Sequence, residues 1–169
     1  MAKAQQVELY ADDSYGEAAA RVISVRSAEL IEHSRNVLDT SEIEGVHDMR
    51  VATRRLRAAL EVFEPCLPRK PHRQALREVK RLADGLGERR ERDVAIAALN
   101  AFNEQMHEPD QKGVSSLITR LREEQAEANR ELAPLVDTAS LSALGQTLEQ
   151  LVASVRGAPG SSGSGEEAG

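Results

Sequence analysis

The stretch VHDMRVATRRLRAALEVF, Val46 to Phe63, sets one histidine and four arginines within eleven residues. His47, Arg50, Arg54 and Arg57 step by three and four, the spacing that aligns side chains along one side of a helix. Arg69, Arg73, Arg77 and Lys80 share a second line in the next helical stretch. Like charges one turn apart repel, each pair costing a helix about 0.2–0.5 kcal/mol, so two such rows call for an anion. Phosphate suits them: the guanidinium fork matches its oxygens, lysine acts as a point charge, and a protonated imidazole adds a donor. His47 also falls in the opening turns of its helix, where the helix dipole adds positive potential. Holding phosphate, rather than transforming it, is the chemistry expected.

The surrounding chain makes the clustering notable, because 169 residues with 22 basic and 28 acidic side chains carry a net charge of −6. Between His47 and Arg92 lie 13 of the basic residues and 7 of the acidic ones, a local +6 that leaves −12 for the rest. Two readings of this pattern stand. Either the rows border one trough for a polyanion, or they form a solvated face whose arginines pair with Glu61, Glu78, Asp84 and nearby acids.

Other chemistries find little support. His33, His47, His72 and His107 stand in no metal-ligand spacing, and His33 and His72 read as surface or capping residues. Cys66, in EPCLP, is the sole cysteine, so an intrachain disulfide is excluded and a reducing compartment fits. No nucleophile motif or phosphate-cradling glycine loop occurs, and Asp48 and Asp93 read as structural, Asp93 pairing with an arginine at a helix start. No catalytic residue, metal or cofactor is therefore expected. The N-terminus lacks the apolar core of a secretory signal and no run approaches a membrane span, so a cytoplasmic protein without a membrane partner is expected.

The elements that must position the cations read as helices throughout. Ala, Leu, Glu and Arg dominate, aromatics make up 2%, and no alternating strand pattern occurs, which predicts one all-α domain, an antiparallel bundle of about five to six helices. A flexible lead-in over 1–13 precedes a capping box, Ser14 with Glu17, that opens a helix to about Asp39. Ser41 and Glu44 offer a second capping box before a helix that ends near Glu64, ahead of Pro65 and Pro68. The third helix is predicted from Pro71 to Leu86, stopped by Gly85-Leu86-Gly87, and the fourth from Arg90 to His107. The loop EPDQKG, a fifth helix from Val114 to Leu132 closed by Pro134, and a sixth from Ser140 to Val155 complete a bundle spanning 14–156. The tail 157–169, rich in Gly and Ser, reads as disordered.

EGVHDMRVATRRLRAALEVF resembles the signature of the CHAD family, the conserved histidine α-helical domain. LGERRERDVAI is similar to the family's second segment, with Leu86, Gly87, Arg90, Asp93 and Val94 in place and Glu91 where aspartate is usual. The resemblance implies binding of inorganic polyphosphate, in some members on polyphosphate granules, without enzymatic activity in this chain. Its binding positions fall on His47, Arg50, Arg54, Arg55, Arg57, Lys80 and Arg90, while Arg73 and Arg77 rest more on stripe geometry. Family domains usually hold two similar helical halves, and this chain carries one motif copy. It therefore reads as a CHAD-like single half, with a homodimer, in which a second chain supplies the missing half, slightly preferred. A regulatory module that binds nucleic acid or phosphorylated partners through the same face is the alternative; the scarcity of aromatics makes nucleic acid the less fitting ligand.

Overall fold

The computed structural model describes residues 3–156 and contains, among them, five α-helices, one 3-10 turn and no strand. The helices are α1, Tyr15–His33; α2, Ile43–Val62; α3, Arg69–Asn103; α4, Glu108–Val136; and α5, Thr138–Arg156. The all-α bundle expected from composition is thus present. None of these helices is long and apolar enough to cross a membrane. The expected tail 157–169 lies outside the described residues.

Helix α1 opens on the predicted capping box: the Ser14 hydroxyl accepts from the Glu17 N–H at 3.2 Å, and the Glu17 carboxylate accepts from the Ser14 N–H at 2.7 Å. The Ser14 N–H and hydroxyl hold the Glu17 carboxyl below its ordinary value, so this contribution is present above the ordinary carboxylate range and fades as pH falls through it. The helix stops at His33 rather than Asp39, because Asn36 takes the left-handed region at φ 58° and turns the chain while Val37 still reaches the core. The second capping box is not formed. Ser41 instead gives both its N–H and its hydroxyl to Asp39 Oδ1, at 2.8 and 2.7 Å, and α2 begins without a side-chain cap. The lead-in lies along α1, where Gln5 N–H donates to Glu29 Oε1 at 2.5 Å, Arg26 donates to the Gln5 carbonyl, and the Arg21 guanidinium covers the Tyr10 ring.

Helix α3 corrects the predicted break at Gly85-Leu86-Gly87. It runs unbroken for 35 residues, about 52 Å at 1.5 Å per residue. Neither glycine takes a positive φ, and the buried row Val79, Leu82, Leu86, Arg89, Asp93 and Ile96 continues at helical spacing straight through the pair. Burial of that row outweighs the poor propensity of two glycines. Likewise Pro109 sits in the first turn of α4, where its missing N–H costs nothing, so α4 starts at Glu108 and absorbs the whole of the expected loop. Pro134 falls within the last turn of the same helix.

The core is shared by α1, α2, the first half of α3, the end of α4 and α5, with Ile23, Leu30, Met49, Leu56, Leu60, Leu86, Leu132, Leu148 and Leu151 almost wholly buried. Beyond Leu86, α3 and α4 continue as an antiparallel pair whose buried apolar residues are few: Ile96, Ile118 and Ala128. A polar network takes over there. Arg89, 0% exposed, pairs through Nε with Asp93 Oδ1 at 2.9 Å, donates to Asn129 Oδ1, and reaches the Asp39 carbonyl at 3.4 Å. Gln125 Nε2 donates to the same Asp93 oxygen at 2.6 Å, and Asn129 Nδ2 donates to the Leu38 carbonyl. The network joins α3, α4 and the turn after α1.

Two outcomes test this account. A Cβ on Gly87 meets nothing within 4 Å, so Gly87→Ala is expected to stabilise the protein by about 0.5–1 kcal/mol, read from the urea midpoint; a destabilised variant is incompatible with an uninterrupted α3. Arg89→Met leaves a buried carboxylate unpaired and is expected to cost about 3–5 kcal/mol. A loss below about 1 kcal/mol, the scale of a surface pair, shows that the network does not hold α3 and α4 together beyond Leu86.

Candidate anion-binding seam

Helices α2 and α3 pack antiparallel, joined by the 3-10 turn Glu64–Cys66 and pinned near both ends of their contact. The His72 ring, 2% exposed rather than at the surface, donates from Nε2 to the Leu60 carbonyl at 2.9 Å. Arg90, at the other end, donates to the Ile43 carbonyl at 3.1 Å. These two contacts set the register between the helices. Arg57 falls level with the interval between Arg73 and Arg77, Arg54 with that between Arg77 and Lys80, and Arg50 just beyond Lys80.

The side of each helix follows from what is buried. On α2, Val46, Thr53 and Leu60 form the edge of the buried stripe nearest α3, and Arg50 and Arg57 stand next to that edge with Arg54 just outside it. On α3, Ala75, Val79, Leu82 and Leu86 face the core, while Arg73, Arg77 and Lys80 are exposed along its outer face, with Arg73 and Lys80 nearer α2. The two rows therefore flank one outer seam. Arg55 lies at the opposite edge of α2, its guanidinium 3.9 Å from Glu29 of α1, and does not join them.

Within the seam the cations differ in how far they are already neutralised. Arg57 donates to Glu61 at 2.9 Å, one turn along the same helix. Arg90 is half-buried and partly spent on Ile43, and His47 is half-buried at the start of the seam. Arg50, Arg54, Arg73, Arg77 and Lys80 are exposed and make no hydrogen bond or ion pair among the described residues. Of the acids named for a solvated face, Glu61 is engaged with a row member, whereas Glu78 accepts from Gln74. The arrangement is one of five positive side chains without ion pairs among the described residues, two from α2 and three from α3, along one seam. Such a set of guanidinium and ammonium groups attracts anions. Cys66 is turned toward the Phe63 carbonyl, and burial pushes its thiol up.

Two groups of buried charge escaped the sequence reading. Asp93 does pair with an arginine, but with Arg89 in the middle of α3 rather than at a helix start; the signal was the i,i+4 spacing of Arg89 and Asp93 on the apolar stripe itself. Glu29, 0% exposed, sits on α1 against Arg26 at 2.8 Å and near Arg55, on a stripe position between Ile23 and Leu30 that carries no local cue to its partners.

No curated protein and no solved structure matches the chain. A family model, the CHAD domain, matches residues 21–168, and domains of this kind are known in polyphosphate-binding contexts in general. With the match covering nearly its whole length, both signature segments on α2 and α3, and a helical bundle around them, the chain belongs to the CHAD domain family.

Proposed function

We propose that this chain binds inorganic polyphosphate along the α2/α3 seam and acts by binding rather than catalysis. The observation that carries the reading is the gathering of Arg50, Arg54, Arg73, Arg77 and Lys80 along one seam, exposed and without ion pairs among the described residues, in a protein of net charge −6. Keeping like charges adjacent is costly for a helix, and a linear polyanion removes that cost by lying between the rows. Arg57, His47 and Arg90 extend the track toward its ends. Arg57 contributes less, because Glu61 must be displaced or left as a repulsive neighbour.

Aromatic placement favours phosphate over nucleobases. The Tyr15 ring packs tilted against Phe63, centroids 5.1 Å apart, at the α1–α2 end of the bundle, Phe102 lies at the far end of α3, and Tyr10 is covered by Arg21. The seam thus lacks the stacking platforms by which single strands are usually held. A polymer of phosphate alone needs none, and the same contacts would serve a protein seated on a polyphosphate granule.

The test is a competition assay in which labelled long-chain polyphosphate is challenged with single-stranded DNA and RNA at fixed salt. Polyphosphate is expected to win, with affinity falling steeply as salt rises. Replacing Arg50, Arg54 and Lys80 together with Ala is expected to lower the slope of log affinity against log salt by about two, while the helical circular dichroism signal stays unchanged. Arg57→Ala is expected to cost less than Arg54→Ala. Preference for DNA or RNA assigns the seam to nucleic acid, and an unaltered triple variant removes the seam from the site.

A further inference from the structure

The residues Val94 to Phe102, in the second half of α3, read VAIAALNAF, eight of nine apolar. A helix apolar on every side is normally enclosed on every side. Here α4 covers one side, the one carrying Arg89, Asp93 and Asn103, which are bonded across to Asn129, Gln125 and Ser115. Val94, Ala98 and Phe102, four residues apart, form a stripe turned away from α4. All three are exposed, Val94 by 50% and Phe102 by 53%. Single exposed apolar residues are ordinary, whereas a row of them on a helix that is apolar throughout marks a packing face without its partner.

The order of residues along the stripe selects that partner. In an antiparallel pairing of two α3 helices centred on Ala98, Val94 of one copy falls level with Phe102 of the other, and Ala98 meets its own counterpart. The small residue at the centre lets the helix axes approach, and valine beside phenylalanine fills the space to either side. The same symmetry sets Gln105, exposed in the turn after α3, level with Glu91, which is exposed and 3.6 Å from Arg92 of its own helix. An amide donor thus faces a carboxylate at both ends of the contact.

We propose that two copies of this chain associate through this stripe, α3 against α3, antiparallel about a two-fold axis at Ala98. Helix α3 ends at Asn103, so the contact reaches back to about the level of Asp93 in the other copy. Lys80 stands about 20 Å further along the helix, which leaves Arg73, Arg77 and Lys80 clear. The inference does not rest on polyphosphate binding. A contact about 20 Å long and one helix wide falls short of the roughly 800 Å² per partner of a standard interface, so a dissociation constant on the order of 10–100 µM is expected.

Sedimentation velocity of the full chain, over concentrations spanning that range, is expected to show a monomer passing into a dimer. Phe102→Glu sets a carboxylate against the facing stripe and is expected to raise the dissociation constant about tenfold or more, with circular dichroism unchanged because Phe102 is exposed. The register is read separately, in a Cys66→Ser background. There Ala98→Cys is expected to give a covalent dimer with a short bismaleimide, and Glu123→Cys, exposed on α4, to give none. Replacing Arg50, Arg54 and Lys80 with Ala is expected to leave the dimer intact, which separates this inference from the seam. A monomer at every concentration assigns the stripe to a different partner and overturns the proposal. So does a dimer undiminished by Phe102→Glu, or equal cross-linking through Glu123→Cys.

Discussion

The antiparallel contact of α2 on α3 is the constraint from which the functional geometry follows. A ring nitrogen at one end and a guanidinium at the other each hold a backbone carbonyl of α2, so the helices cannot slide past one another without losing a buried hydrogen bond or a charged one. With the register fixed, residues that are far apart in sequence interleave: Arg54 falls between the levels of Arg77 and Lys80 because Leu60 is held at His72. The apolar stripe supplies the adhesion, and the two polar contacts decide the alignment.

Charge is sorted by depth in this molecule. Buried cations and anions are engaged: Arg89 with Asp93, Arg26 with Glu29. Such pairs lose hydration on burial and recover it only through several well-placed hydrogen bonds, which Arg89 has. Arg50, Arg54, Arg73, Arg77 and Lys80 make the opposite arrangement, exposed and without an ion pair among the described residues, while Arg57 holds Glu61. An acidic protein can in this way keep one strongly positive track, because the compensating acids are placed elsewhere on the chain.

Much of this was legible in the residues. The Ser14–Glu17 box marked a helix start that forms as expected, and the three-and-four steps of Arg50, Arg54 and Arg57 announced an exposed row. What stayed hidden was tertiary. Gly85 and Gly87 carry the local signal of a helix end, and the continuing apolar row on α3 overrides it because burial against α4 is worth more than the glycine penalty. Ser41 and Glu44 have capping-box spacing, yet Asp39 is nearer and takes both donors of Ser41. Glu29 and Arg89 look like surface charges by type, and only the packing of α1 on α2 and α3 on α4 shows them enclosed.

The unbroken length of α3 links places that the predicted break would have separated. Arg73, Arg77 and Lys80 stand on its first half, Asp93 and Asn100 on its second, and no proline or left-handed residue intervenes. A continuous rod of this kind works as a ruler: the interval between the cation seam and the Arg89–Asp93 network is set by residue count, at about 1.5 Å for each position. Any mechanical coupling of the two must tilt or shift the whole rod, since it has no joint at which to fold.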